Sequence, residues 1–289
     1  MKMKLIVTKI LPAFFTTGLL FVSCQKNLDS SSKTESKITL QHATDMAGLQ
    51  NLTTVDEMQQ FILAVYPNSA EAKALTSGSC PPVVTYNPAP NVFPRTETID
   101  WGTGCTNANG TTRSGKIIRK YSDTLINVDA RLIIKYDNYF INGVHIEGKA
   151  KIVHIQIPNT NTYKMYQIDR KVTQPNGDFI IYNGELNLLK KIPGDIHFPP
   201  DSTGWYRVKG TQSGDEMKAG QSYQWISTID SAHPLIYKFC SFVTKGNLHV
   251  QFTNQSDWFV DFGKVLQCDN LAEVTQDGVT TTVTLPLDY

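Results

Sequence analysis

The sequence lacks a strong charge of either sign. Its 27 Lys and Arg residues are balanced by 26 Asp and Glu residues, so the formal net charge of the 289-residue chain is only +1. Proteins that bind nucleic acids usually carry a basic face that neutralises phosphates. The balance therefore argues against a nucleic-acid partner.

The sequence also lacks the short motifs of several enzyme and metal-binding classes. It contains no Gly-x-x-x-x-Gly-Lys-Ser/Thr loop for phosphate, no His-Glu-x-x-His for zinc and no Gly-x-Ser-x-Gly for a nucleophilic serine. Its five cysteines include no Cys-x-x-Cys pair, and no histidine lies at a zinc-ligand spacing from them. We therefore expect no metal, no cofactor and no enzymatic activity.

A hydrophobic run long enough for a transmembrane helix is missing as well. The apolar stretch at residues 10–22 is only 13 residues long, and Lys2, Lys4 and Lys9 precede it. A bilayer span needs about 20 apolar residues, whereas a basic start with a short apolar core is typical of a secretory signal peptide. The pattern predicts a signal peptide at residues 1–23.

Cys24 follows this segment directly, with the small residue Ser23 before it. This junction favours cleavage by a lipoprotein signal peptidase and attachment of acyl chains such as palmitate to Cys24. The alternative is ordinary cleavage nearby, with Cys24 as an unmodified bystander. We expect an exported outer-membrane lipoprotein, anchored through Cys24 and facing the periplasm or the cell surface.

The other four cysteines are expected to form disulfides, because an exported protein meets an oxidising environment. A repeated order of motifs favours the pairs Cys80–Cys105 and Cys240–Cys268 among the three pairings that four cysteines allow. In each pair a valine follows the first cysteine by three places, and an apolar–Asp–aromatic–Gly tetrapeptide precedes the second cysteine. The shared order suggests an internal duplication, with chance similarity as the alternative.

Two segments resemble signatures of a widespread group of uncharacterised Bacteroidetes-type lipoproteins. They are FPRTETIDWGTGCTNANGTTRSGKII at residues 93–118 and DFGKVLQCDNLAEVTQDG at residues 261–278. The resemblance covers residues 80–289. It implies a secreted lipoprotein with a β-rich body, and it implies no known reaction or catalytic residues.

Between the signal peptide and this body, the sequence predicts a tether and a helix. The polar composition of residues 24–40 predicts a flexible tether, and residues 41–78 form the predicted helical segment. Thr54 and Glu57 fit a capping box that would start the helix, and Pro67 would stop it. An apolar stripe, which we expect to pack on a sheet rather than on a partner, consists of Val55, Met58, Ile62 and Val65.

Residues 79–289 alternate between apolar and polar side chains, as half-buried antiparallel strands do. The apolar positions predicted to face the core include Leu132, Ile134, Val153, Ile155, Tyr166, Ile168, Leu248 and Val250. Tight turns are predicted at four Asx–Gly pairs, namely Asn142-Gly143, Asn176-Gly177, Asn183-Gly184 and Asp277-Gly278. The sequence therefore predicts an all-β fold, an antiparallel meander that forms a sandwich or a strongly curved sheet, with a short N-terminal helix.

Asp100 and Asp261 are the candidate catalytic carboxylates, because each precedes an aromatic residue and a glycine in a repeated unit. They could hydrolyse a polysaccharide or hold calcium. We favour a structural role in which each aspartate accepts backbone N–H bonds and fixes a turn. His154 and His249 occupy polar positions of alternating strands and are expected to face solvent.

A loop at residues 193–206 is the candidate binding surface. It is rich in proline and glycine and carries Phe198, Trp205 and Tyr206. Exposed aromatic side chains on a β scaffold can stack on sugars or apolar groups, whereas buried ones would tuck the loop onto the sheet. If the loop binds a partner, at least one of the three must be exposed.

The sequence thus favours a non-enzymatic envelope lipoprotein whose β-rich body binds a glycan, a lipid or an envelope protein. One alternative is a polysaccharide hydrolase that uses Asp100 or Asp261. The other is a carrier whose curved sheet holds an acyl chain.

Overall fold

A computed structural model describes residues 28–65, 80–107, 110–157, 160–190, 205–237, 242–253, 255–263 and 268–285. The chain divides into two compact units, residues 1–38 and 39–289. In the first unit, the described residues form the opening turns of a helix. The second unit contains the rest of that helix and every strand.

The helix, α1, spans Leu28–Val65 and is much longer than the sequence predicts. Residues 24–40 were predicted to be a flexible tether, but the chain is helical from Leu28. The predicted start at Thr54 is also wrong, because Thr53 and Thr54 lie inside the helix and the Thr53 hydroxyl donates to the Leu49 carbonyl one turn earlier. Burial of residues 46–62 against the sheet stabilises helical turns that propensity alone would not. Val65 is the last helical residue that the structure describes, and the predicted stop at Pro67 lies outside the described residues.

In its described residues the second unit has 15 strands. They are β1 Val83–Asn87, β2 Arg95–Asp100, β3 Cys105–Thr106, β4 Thr112–Tyr121, β5 Arg131–Ile141, β6 Val144–Ile157, β7 Thr160–Thr173, β8 Phe179–Lys190, β9 Tyr206–Lys218, β10 Gln221–Ile229, β11 Leu235–Tyr237, β12 Asn247–Phe252, β13 Trp258–Asp261, β14 Leu271–Gln276 and β15 Val279–Thr284.

These strands form one curved antiparallel sheet, which confirms the predicted all-β fold class. Its order is β1-β2-β4-β5-β6-β7-β8-β9-β10-β12-β13-β14-β15, with β3 paired to β4 and β11 to β9. One face of the sheet packs around residues 42–65 of α1. The apolar stripe of α1 is buried there as predicted, among core residues that include Ile117, Leu132, Ile152, Met165, Ile180 and Val208.

In β6 and β7, the set of alternating residues that faces the core is the opposite of the predicted set. In β6, Ile152 and His154 are buried while Val153 and Ile155 are only half-buried. Both alternating sets of β6 contain apolar residues, so local pattern does not decide which set faces the core. In β7, Gln167 is buried, because Glu57 of α1 accepts a hydrogen bond from its side-chain amide.

The predicted turn at Asn183-Gly184 is instead part of β8. The Asn183 side-chain oxygen accepts a hydrogen bond from the Asp169 amide at 3.0 Å, and a Cβ on Gly184 would lie 2.4 Å from the side-chain oxygen of Gln167. This Asn-Gly pair therefore accommodates a bulge in β7 rather than reversing the chain. Asn142-Gly143 and Asp277-Gly278 are hairpin turns with positive φ, as predicted.

Cys80 and Cys105 are disulfide-bonded, as predicted. Cys268 is also disulfide-bonded, and its partner lies outside the described residues, as does Cys240. The pair Cys240–Cys268 stays a prediction.

The signal peptide and Cys24 also lie outside the described residues, and α1 has no apolar stretch that could span a membrane.

Candidate functional site

The face of α1 inside the sheet is unusually polar. Besides its apolar stripe, the helix buries His42, Gln50, Asp56, Glu57 and Gln60. A buried polar group is costly unless it finds a hydrogen-bond or charge partner. The partners of these side chains show which of them stabilise the fold and which are left available for binding.

Glu57 lies at the centre of a buried network, the Glu57 network, formed by Glu57, Arg170, Gln167 and Gln212. The Arg170 Nε and Glu57 Oε1 lie 2.8 Å apart, as an ion pair rather than a well-aligned hydrogen bond. The Gln167 amide donates to Glu57 Oε2 at 2.6 Å, and the Gln212 amide donates to Gln167 at 2.7 Å. The Arg170 guanidinium also stacks over the Tyr136 ring at 4.2 Å. Both carboxylate oxygens of Glu57 thus have partners.

Two further buried pairs join strands to the helix. Arg119 donates to both oxygens of Glu97, at 2.8 and 3.1 Å, and to the backbone carbonyl of Gln60 at 3.0 Å. His42 of α1 contacts Glu216 of β9. These pairs lock α1 into the sheet.

Asp56, the residue before Glu57, is in a different situation. Its side chain is 2% exposed. The Tyr139 hydroxyl donates to Oδ1 at 3.1 Å, and the Arg113 Nη2 lies 3.9 Å from the same oxygen. The second oxygen, Oδ2, has no hydrogen-bond partner among the described residues. Asp56 is therefore a buried carboxylate with one open acceptor.

A small cavity is lined in part by Asp56. Its volume is about 40 Å³, enough for a group the size of a hydroxyl, since a single water needs about 10–15 Å³. Its apolar wall consists of Leu52, Val55, Ile141 and Phe242, and its polar lining includes Asp56, Arg113, Gln59, Asn51 and Asn142. We call this the Asp56 pocket.

The other polar groups of the Asp56 pocket are already engaged. Asn51 accepts a hydrogen bond from the Val243 amide, and Asn142 accepts one from the Thr112 amide. Gln59 accepts one from Arg113, whose side chain is 17% exposed. A ligand that enters the pocket would therefore find one unused acceptor, Asp56 Oδ2, beside a guanidinium at the rim.

Burial raises the pKa of Asp56, and the charges of Arg113 and Arg170 and side-chain hydrogen bonds with Tyr139 and Gln60 oppose that effect only in part. Burial likewise raises the pKa of Glu57, against the charge of Arg170. A raised pKa signals that the ionised carboxylate lacks full compensation in this place. A hydrogen-bond donor that reaches Asp56 Oδ2 would supply part of the missing stabilisation of the ionised carboxylate.

Beta-bulges place the side chains of both sites. Between Lys135 and Tyr139 the register with β6 shifts, so that Tyr136 and Tyr139 both point towards α1 although they are three residues apart. The partner strand β4 carries Gly115 at this bulge, where a Cβ would lie 1.8 Å from the Asn138 carbonyl oxygen. In β7 a second bulge lets Gln167 and Arg170 share one face. Sequence alternation cannot reveal such pairs, because a bulge changes the period.

Asp100 and Asp261 each hold a turn. Asp100 Oδ1 accepts the Gly102 amide at 2.7 Å, and Asp261 Oδ1 accepts the Gly263 amide at 2.8 Å. The two aspartates end β2 and β13, which belong to hairpins near opposite ends of the strand order. The hydrogen bond from Gly102 lowers the pKa of Asp100, and an ion pair with Lys116 at 3.0 Å adds to that. This geometry is the turn-fixing role that the sequence favoured.

Two of the three aromatic residues of the predicted binding loop, Trp205 and Tyr206, do not offer an exposed surface. Trp205 and Tyr206 are 5% and 0% exposed, so neither can serve as an exposed binding anchor. Tyr206 begins β9 and packs edge-on against Phe61 of α1, with ring centroids 5.3 Å apart. Trp205 is buried with Ile236 of β11, the short strand that pairs with the start of β9. Phe198 lies outside the described residues.

The two candidate histidines differ. His154 was expected to face solvent but is buried, where it stacks on Tyr163 at 4.7 Å. His249 is half-buried on the other face, stacks on Phe259 at 4.3 Å and pairs with Asp257 at 2.9 Å. Neither histidine contacts the Asp56 pocket residues.

No protein-family model, curated protein or solved structure matches the chain. The fold and the pocket define the class: one curved antiparallel sheet that packs around an N-terminal helix and leaves a buried aspartate beside a small opening. Sequence reasoning missed Asp56, Arg113 and Tyr139. The only signal was the acidic pair Asp56-Glu57 within a stripe of apolar helix residues.

Proposed function

We propose that this protein is a non-enzymatic envelope lipoprotein, held to a membrane through Cys24, whose β-rich body binds a glycan at the Asp56 pocket. The observation that carries the binding site is the open acceptor of Asp56, buried beside a cavity. The signal-peptide pattern and the resemblance of residues 93–118 and 261–278 support the anchor.

A sugar hydroxyl fits the chemistry of the Asp56 pocket. A hydroxyl is both a donor and an acceptor, so it can donate to Asp56 Oδ2 and accept from the guanidinium of Arg113. Because the cavity holds only about 40 Å³, we expect one or two hydroxyls to enter while the remaining ring stays outside.

Two other observations favour a binding function over the hydrolase and acyl-carrier alternatives. Each aspartate of the hydrolase alternative is engaged in its own turn. The acyl-carrier alternative needs an apolar hollow inside the sheet, and α1 packs on that face.

Saturation-transfer NMR with a panel of methyl glycosides tests the binding site. We expect at least one glycoside to bind, and Asp56→Asn to weaken it about tenfold or more, since a hydrogen bond to a charged group contributes about 1.5–3 kcal/mol. Asp215→Asn is the matched control, because Asp215 is exposed on β9. Failure of every glycoside to bind, or equal binding by Asp56→Asn, would refute the site.

Labelling with palmitate tests the anchor independently. The wild type should incorporate label and partition into detergent, because several acyl chains hold a protein firmly. Cys24→Ala should lose both properties. An unlabelled, detergent-independent wild type would contradict the anchor without affecting the pocket.

A further inference from the structure

The two edges of the sheet are protected very differently. The edge strand β1 has Pro82 before it and Pro88 after it, and the Cys80–Cys105 disulfide ties its start to β3. Proline and covalent ties are common means of preventing an edge from pairing with another chain. At the other edge, β15 reads Val-Thr-Thr-Thr-Val-Thr and contains no cysteine that could tie it, although Pro286 follows it by two residues.

This second edge is open in the described part of the chain. There, β15 pairs only with β14, and four of its six residues are exposed. Val279 is 64% exposed although it shares the core-facing side of the strand with Val283, which is buried. An apolar side chain at the end of the core face is therefore left uncovered.

The sequence of this edge is self-complementary. Residues 279–283 read Val-Thr-Thr-Thr-Val, the same in both directions. In an antiparallel pair of two β15 strands with a two-fold axis at Thr281, Val279 lies opposite Val283 of the second copy, and Thr280 lies opposite Thr282. Opposed residues keep the same face, so the exposed Val279 gains an apolar neighbour.

Threonine pairs of this kind already occur one strand inward. The hydroxyls of Thr275 in β14 and Thr280 in β15 are 2.7 Å apart across the ladder. The proposed contact would repeat that arrangement between two copies. Isologous pairing through one patch is also the commonest symmetry of soluble oligomers.

We propose that β15 is a dimerisation edge, at which two copies of this chain join their sheets antiparallel about a two-fold axis through Thr281. The partner is a second copy rather than an unrelated peptide, because the palindrome matches itself in both apolar and hydroxyl positions. This inference is independent of the Asp56 pocket.

Cysteine cross-linking tests the register directly. In the full-length protein in detergent, Thr281→Cys should oxidise to a disulfide-linked dimer, because directly opposed residues have Cα atoms about 4.5–5.5 Å apart, within disulfide range. Thr280→Cys and Thr282→Cys should cross-link when mixed but not when each is oxidised alone. Monomers throughout, or equal dimer from all three variants alone, would overturn the proposal.

A charge at the axis gives a second measurement. Thr281→Lys would place two ammonium groups opposite each other and should weaken self-association about fivefold or more in sedimentation equilibrium. Its unfolding midpoint should stay close to that of the wild type, since Thr281 is only partly buried. Unchanged self-association in this variant, or a wild type that is monomeric at every concentration, would also overturn the proposal.

Discussion

Asp56 and Glu57 are neighbours on one helix, both are buried, and their surroundings are opposite. Glu57 faces an arginine that is itself fully buried, and the Gln167 amide donates to its other oxygen. Asp56 faces an arginine at the rim of a cavity and keeps one oxygen without a partner among the described residues. Burial alone therefore does not identify a functional acid. The useful signal is an acid that the fold buries without completing its hydrogen bonds.

Replacing the arginine of each site should give the largest difference in stability between the Glu57 network and the Asp56 pocket. Arg170→Met leaves the Glu57 carboxylate buried without its counter-charge, so we expect a loss of about 3–5 kcal/mol in the free energy of unfolding. Arg113→Met should cost only about 1 kcal/mol, because Arg113 is partly exposed and solvent can reach its place. Urea denaturation measures both. Similar losses in the two variants would mean that the Asp56 pocket is as structural as the Glu57 network.

Removing the whole ion pair should cost less than breaking it. In Glu57→Met combined with Arg170→Leu no charge stays buried alone, and we expect the double variant to recover at least about half of the loss caused by Arg170→Met. The amide of Gln167 still loses an acceptor, so full recovery is not expected. The same urea curves decide this point, and a double variant less stable than Arg170→Met would contradict it.

The smallest effect concerns Asp56 and pH. Burial raises the pKa of Asp56 in the folded protein above its ordinary value of 3.8. At any pH between these two values, Asp56 is more often protonated in the folded protein than in the unfolded chain. The contribution of this group to stability is complete below the ordinary pKa and is lost as the pH rises through the folded pKa. Asp56→Asn cannot lose that contribution, so its stability relative to the wild type should improve from about pH 4 to about pH 7.

Unfolding curves of both proteins at the two pH values measure that difference. Asp215→Asn serves as control, because Asp215 is exposed and its substitution should leave the pH dependence unchanged. A wild type that gains stability relative to Asp56→Asn as the pH rises would show that the pKa of Asp56 is lowered by folding rather than raised.

Much of the scaffold follows from local patterns. Alternation in β5 and β12 predicted the buried sets correctly, since each of those strands has one clearly apolar face. Asx–Gly turns close the β5–β6 and β14–β15 hairpins because those residues accept positive φ. The apolar stripe of α1 was also readable, because it depends on spacing along the chain alone.

The sequence by itself thus determined the all-β class, the antiparallel order and the Cys80–Cys105 pair, all of which depend on short-range signals. Tertiary structure alone decided the length of α1, the core face of β6 and β7, and the bulges beside Asn138 and Asp169. It also decided that Trp205 is covered and that Asp56 is left with an open oxygen. The physical reason is that burial and hydrogen-bond satisfaction are properties of pairs of segments that meet in space. A polar helix face becomes stable only where a strand supplies partners, and a pocket exists only where one partner is missing.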